Sequence, residues 1–287
     1  MFPMEKIVKK NYSGERSLFG AKNLFLEDVA FLEGESPLKE TSHIELLNCS
    51  FSWKYPLWYS NRLKVRRCRF YNESHAGIWY TKDSSFDGCS FEEGKNFRHS
   101  KGLWISNCVF SKAAETLWWC QDIKVSNSTF TGDYLGLGIT DSSFDCMKLD
   151  GNYSFDGSRN IHIKNSTLRS KDAFWNSENV LIEDSVIEGE YFGWNSTNVT
   201  LVRTKIISHQ GFCYMDKVTL IDCEMVDSDL TFEYVSNANV EIAKGELDLK
   251  NPISGTFLAP SYKNILLNDE KIEKSRLIFK KSGDKNG

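Results

Sequence analysis

Ile161-His162-Ile163-Lys164-Asn165-Ser166-Thr167-Leu168 is followed, 19 residues on, by Val180-Leu181-Ile182-Glu183-Asp184-Ser185-Val186-Ile187. Both stretches read apolar-x-apolar-x-polar-small-x-apolar, and the alternation has the period of a strand rather than of a helix. The same frame fits Ile44, Leu46, Asn48, Cys49 and Phe51, then Leu103, Ile105, Asn107, Cys108 and Phe110, then Ile123, Val125, Asn127, Ser128 and Phe130. Its last apolar position falls at Phe31, Phe51, Phe70, Phe91, Phe110, Phe130, Leu149, Leu168, Ile187, Ile206, Met225 and Leu247, at intervals of 19 to 22 residues. Strands this short cannot form a stable meander, so each copy must be satisfied by stacking on the one before it.

That arrangement is an all-β fold, a single-stranded parallel β-helix of about 12 coils, right-handed by the general chirality of parallel crossovers. A third apolar segment precedes each copy, as in Leu57-Trp58-Tyr59 and Phe174-Trp175-Asn176; the reading makes it a third strand. The leucine-rich repeat shares the period but needs a Leu-x-x-Leu-x-Leu frame that is absent. No break in composition divides the chain, so one domain is expected over 1–287, with an N-terminal cap at 1–22, repeat coils at 23–250 and a C-terminal cap at 251–287 to blunt the open ends.

Composition narrows the partners. Against 39 acidic residues stand 35 basic ones, and the net charge of -4 offers no field for nucleic acid or an anionic membrane. No run approaches the roughly 18 apolar residues of a membrane span. The opening Met1-Phe2-Pro3-Met4-Glu5-Lys6 has no apolar leader behind it, and a cytoplasmic protein is expected.

The columns of the repeat have separate meanings. Asn48, Asn107, Asn127 and Asn165 share a corner where an amide tolerates left-handed backbone, and they read as an internal ladder. Cys49, Cys68, Cys89, Cys108 and Cys223 follow them, with Cys146 one place earlier. A line of thiols on one wall cannot surround a tetrahedral ion, so they read as small buried packing groups, with no metal and no cofactor expected.

Five residues before each opening strand stand Trp58, Trp79, Arg98, Trp118, Leu137, Asp156, Trp175, Trp194, Cys213 and Val235. The position before reads Leu57, Ile78, Phe97, Leu117, Phe155, Phe174 and Phe212 in seven of the copies, so alternation sends that set inward and the tryptophan set outward. An outward indole stripe suits three uses: a groove whose rings stack against the pyranose faces of an oligosaccharide, a homodimer or partner interface, or mutual covering of the indoles. In the first, Trp58, Trp79, Trp118, Trp175 and Trp194 hold sugar faces while Arg98 and Asp156 orient the chain. In the turns beside the stripe, Asp172 and Glu190 lie on neighbouring coils and form the candidate acid and base, or nucleophile, of a glycan-acting hydrolase or lyase. The short turns leave no deep cleft, and the sequence leans toward binding over catalysis.

Glu15-Arg16-Ser17-Leu18-Phe19, Glu115-Thr116-Leu117-Trp118, Gly151-Asn152-Tyr153-Ser154-Phe155, Lys171-Asp172-Ala173-Phe174-Trp175-Asn176, Gly189-Glu190-Tyr191 with Gly193-Trp194, and Phe232-Glu233-Tyr234 together resemble an uncharacterised bacterial family with a pectin-lyase-like right-handed β-helix. The resemblance implies a fold and brings no reaction. Analogy with pectin-lyase-like enzymes makes the stripe-bearing sheet the substrate face. Members of the family often carry His after the stripe Trp, where this chain has Trp119 and Asn195; that departure weakens any histidine-based chemistry.

Overall fold

The computed structural model describes residues 4–282. They fall into two compact units, Met1–Lys148 and Leu149–Gly287. The parts of the expected caps at residues 1–3 and 283–287 lie outside the described residues.

The fold is a parallel β-helix, with no α-helix among the described residues. In the first unit the long strands are Glu5–Val8, Lys22–Glu27, Ser42–Leu47, Asn61–Arg66, Lys82–Asp87, Lys101–Ser106, Gln121–Ser126 and Thr140–Asp145. Each pairs in parallel with the strand one coil away, so that Ile44 faces Leu63 and Leu103 faces Ile123. A second wall of short strands, among them Ser50–Phe51, Arg69–Phe70, Ser90–Phe91 and Val109–Phe110, pairs in the same way. In the second unit Arg159–Lys164, Glu178–Glu183, Thr197–Val202 and Asp216–Met225 continue the pattern.

The described residues make about 15 turns, close to the twelve expected. The surplus lies at the ends, where stacking persists in segments read as caps. Glu5–Val8 pairs fully with the next coil, and Gly255–Ala259 pairs with Leu277–Lys281.

The core of the first unit is a file of rings. Phe31, Phe51, Phe70, Phe91, Phe110 and Phe130 are buried, with successive centroids 4.9, 4.7, 4.5, 4.4 and 4.5 Å apart. Parallel register forces this, because identical residues one coil apart must lie face to face. Each fully buried Phe supplies about 1.5–3 kcal/mol of transfer free energy, and each ring pair about 0.5–1.5 kcal/mol more.

Two expectations need correction. The third apolar segment is not a strand. Leu57 and Tyr59, at φ 61° and 55°, sit in the left-handed region on either side of Trp58, and the same holds for Ile78 and Tyr80, Phe97 and His99, and Leu117 and Trp119. The first step, Leu57 inward and Trp58 outward, is the one a pleat would make, which is why it imitated a strand; Tyr59, which a pleat would turn back inward, is exposed instead, and Ser60 is buried. Non-glycine residues pay a steric cost there, and inter-coil hydrogen bonds such as Leu57 N to Pro37 O (3.0 Å) and Tyr59 N to Trp79 O (2.9 Å) offset it.

The asparagine column, expected inside, lies outside. Asn48, Asn107, Asn127 and Asn165 do have left-handed backbone, at φ 53°, 54°, 47° and 51°, but they are exposed. At this corner the side chain points away from the coil axis, so the amide reaches along the surface: Asn107 Nδ2 donates to Asp87 Oδ1 at 2.7 Å and Asn48 Nδ2 to Asp28 Oδ1 at 3.2 Å. The next residue turns back in. Cys49, Cys68, Cys89, Cys108 and Cys223 are buried as expected, and Cys146, one place earlier, is exposed. Burial pushes the Cys120 and Cys213 thiols up to about 12.

Candidate functional site

The left-handed segments build two parallel columns on the outside of the first unit. Behind them, Leu57, Ile78, Phe97 and Leu117 anchor the wall in the core at 0% exposure. Ser60, Thr81, Ser100 and Cys120 re-enter it, with Ser60 Oγ donating to Leu38 O and Ser100 Oγ to Ile78 O, both at 2.9 Å.

The inner column is Trp58, Trp79, Arg98 and Trp118. These side chains point outward as expected, yet each is largely covered by its neighbours. Trp58 and Trp79 stack at 5.0 Å and 9°. The Arg98 guanidinium lies 5.0 Å from the Trp79 ring centre and 4.2 Å from that of Trp118, replacing one indole in the pile with a planar cation. Its Nη2 is ion-paired with Glu115 Oε2 and its Nε donates to Glu115 O at 3.3 Å. Every indole N–H of this column is also spoken for: Trp58 Nε1 donates to Ala76 O at 2.5 Å, Trp79 Nε1 to Lys95 O at 2.6 Å and Trp118 Nε1 to Tyr134 O at 2.6 Å. Each acceptor belongs to the turn of the following coil, so each Trp clamps its coil to the next. Arg98 is likewise held by the pile and by Glu115.

One position further on stands a second column, Tyr59, Tyr80, His99 and Trp119, stacked at 4.7, 5.1 and 4.9 Å. Tyr59 is 48% exposed and Trp119 47%. His99 belongs to this column, between Tyr80 and Trp119. Rings cover one another along this column, Lys39 Nζ lies 5.7 Å from the Tyr59 ring centre at one end, and beyond Trp119 the backbone of Gly138 closes the last face: at φ 63°, a Cβ there would meet Trp119 Cδ1 at 2.8 Å. The columns therefore offer edges and polar tips, not the open faces expected for pyranose stacking. Around the corner, on the strand Lys101–Ser106, Trp104 stands apart from both columns at 62% exposure.

In the second unit, Trp175 and Trp194 point outward and lie 6.0 Å apart at 34°, and Trp194 packs on the exposed Tyr214 at 4.5 Å. Trp175 Nε1 donates to Tyr191 O at 2.9 Å, the same clamp as in the first unit. Asp156 Oδ1 accepts from Asn176 Nδ2 at 2.9 Å, and Asn176 Oδ1 accepts from Asn195 Nδ2 at 2.8 Å. At Asn176 and Asn195 amides thus stand where the first unit has rings, and rings return at Tyr214 and Tyr234, 5.2 Å apart.

The candidate carboxyls sit on adjacent turns, where Asp172 N donates to Glu190 O at 2.9 Å. Asp172 is 5% exposed, and burial pushes its carboxyl above the ordinary aspartate range, with Lys171 pulling it down and Glu190 adding to the rise. Glu190 is surface-lying and pairs with Lys171 Nζ at 3.2 Å. Among the described residues no group of three or more His, Cys, Asp or Glu is arranged to hold a metal ion. Nor is any helix long and apolar enough to cross a membrane.

No curated protein matches the chain in sequence. Solved structures match its fold. A PL6 alginate lyase in complex with a trisaccharide is 10% identical, with a TM-score of 0.53 over 97% of this chain and 88% of the other. The alginate lyase AlyF-OU02 in complex with G6 is 11% identical, with a TM-score of 0.53 over the same shares. PfbA, a surface adhesin of Streptococcus pneumoniae, is 8% identical, with a TM-score of 0.50 over 77% and 83%. At such identities the likeness is one of fold alone. The sequence match is of another kind: residues 5–280 fit one family along nearly their whole length, and the chain belongs to that family, described as Protein of unknown function (DUF3737).

Proposed function

We propose that this protein binds carbohydrate, laying a linear saccharide along the outer aromatic column of its first unit. The observation that carries this reading is the column Tyr59, Tyr80, His99 and Trp119. It sets phenol, imidazole and indole edges at a 4.7–5.1 Å repeat on an exposed surface, in front of an indole pile that keeps it rigid. A repeating row of amphipathic edges suits a repeating chain of hydroxyls and C–H groups, and a rigid wall loses little entropy on binding. The structures of like fold solved with a trisaccharide and with G6 support the class. Seven of the eight cysteines are buried thiols, which fits a reducing compartment such as the cytoplasm.

The test is a titration of the full chain with acidic and neutral oligosaccharides, followed by intrinsic fluorescence and calorimetry. Trp119→Ala removes an edge worth about 0.5–1.5 kcal/mol and weakens binding by up to about tenfold. A stable homodimer in sedimentation with Trp119 occluded would replace the ligand with a second copy of the chain.

A catalytic reading is favoured by one observation, the raised carboxyl of Asp172 next to Glu190. In it Asp172 is the proton donor and Glu190 the base or nucleophile on a glycan at Trp175 and Trp194. Asp172→Asn and Glu190→Gln then abolish turnover and preserve binding.

A further inference from the structure

The indole of Trp104 lacks the cover that every ring of the two aromatic columns has. On its strand, alternation sends Leu103 and Ile105 inward, at 0% and 1% exposure, and Trp104 outward. In the parallel register its neighbours are Lys124 on one side and Ser85 on the other, and Ser85 in turn faces Lys64. Lys124 Nζ lies 5.4 Å over one ring face. The other face looks onto a serine, too small to cover it.

Beside the ring the chain makes room. Gly102 has φ 66°, and a Cβ there would meet Asp83 Oδ1 at 2.9 Å, so the corner between Asp83 and Asp122 has to stay bare. The result is a depression of about 450 Å³, floored by Gly102 and Ser85 and walled by Trp104. Its rim carries both signs, Arg62, Lys64 and Lys124 against Asp83 and Asp122, and Lys64 is already paired with Glu45 Oε1 at 2.8 Å, which leaves the rim balanced.

We infer that this depression is a second saccharide site, taking one neutral hexopyranose with its apolar face on the open side of Trp104. The chemistry selects that class. An anion is opposed by Asp83 and Asp122, a cation by Arg62, Lys64 and Lys124, and a wholly apolar ligand would strip water from the charged rim without replacing its hydrogen bonds. A neutral ring with one C–H face and hydroxyls around its edge satisfies all three demands. The face stacks on indole, a vicinal diol donates to a carboxylate, and the remaining oxygens accept from Lys or Arg. The site goes beyond the column proposed above, which displays edges and no open ring face, and it shares with that proposal only the ligand class.

The experiment is calorimetry on the full chain with maltopentaose and cellopentaose, with a hexuronate trisaccharide and adenosine as contrasts. It uses wild type, Trp104→Ala, Trp104→Phe, Ser85→Phe and Trp119→Ala. The expected result is binding of at least one neutral pentasaccharide that falls about tenfold in Trp104→Ala and is largely kept in Trp104→Phe. In Ser85→Phe, where a second ring covers the open face, binding is lost while the fold is retained by circular dichroism. The site is overturned if no neutral saccharide binds, if Trp104→Ala leaves affinity within twofold, or if only the uronate or adenosine depends on Trp104. A loss in Trp104→Ala with none in Trp119→Ala removes the column reading and leaves this site standing. The reverse pattern removes this site alone.

Discussion

Trp79 tests whether the inner column is a structural clamp. Its ring stacks on Trp58 at 5.0 Å, carries Arg98 at 5.0 Å on its other face, and donates its N–H to Lys95 O at 2.6 Å. Truncating a fully buried Trp costs about 3–5 kcal/mol, and half-burial reduces that to about 2 kcal/mol. The N–H bond adds about 1 kcal/mol, and the stack and the cation together about another 1 kcal/mol, partly overlapping with the burial already counted. Trp79→Ala is therefore expected to destabilise the chain by about 3 kcal/mol. Trp79→Phe keeps both stacking partners, loses the N–H, and should cost about 1 kcal/mol. Trp119→Ala, at 47% exposure in the outer column, should cost no more than about 1 kcal/mol. Urea unfolding of the three variants measures the order, and amide exchange at Tyr80 and His99 reports whether the loosening is local. Equal losses in Trp79→Ala and Trp119→Ala, or a loss below about 1 kcal/mol in Trp79→Ala, would refute the clamp.

Asp172 is a carboxyl whose native pKa is raised by burial, so the native state binds its proton more tightly than the unfolded state does. Stability therefore falls as pH rises from the ordinary aspartate range through the raised native value, and is lower by a constant amount above it. Asp172→Asn should flatten that slope in pH-dependent urea unfolding and raise neutral-pH stability by below about 1 kcal/mol; an unchanged slope contradicts the burial argument. Of the eight thiols only Cys146 is exposed, so an aromatic disulfide reagent should titrate one thiol quickly in the folded chain, and none in Cys146→Ser. Several fast thiols would mean that the cysteine wall opens.

Some of this was legible because parallel stacking turns a chemical repeat into a spatial column. The file of phenylalanines ending at Phe130 was readable residue by residue, and so was the outward direction of Trp58, Trp79 and Trp118. What misled was conformational. The in-out step from Leu57 to Trp58 is common to a strand and to this left-handed turn, and only Tyr59, exposed where a strand would turn it inward, tells the two apart. The corner asparagines were correctly assigned their backbone and wrongly assigned their direction, since amide pattern alone does not say which way Cβ turns. The outer column escaped notice because Tyr59, Tyr80, His99 and Trp119 are three residue types, and a search for one type passes over them. Trp104 carried a readable signal: an indole at the outward place of a strand, between two core residues, where the equivalent positions hold Glu45, Lys64, Ser85 and Lys124.

A repeat this regular faces a problem of address. If every coil were interchangeable, a strand could skip one neighbour and pair with the next at almost the same energy, losing only a little more loop entropy. Arg98 removes that degeneracy locally. Its guanidinium is satisfied only with Trp79 beneath, Trp118 above and the Glu115 carboxylate alongside. A coil paired one step out of place would strand a half-buried cation without its partners, at a cost that loop entropy cannot match. The one charged residue in an indole file thus acts as a serial number, telling otherwise similar coils which of them comes next.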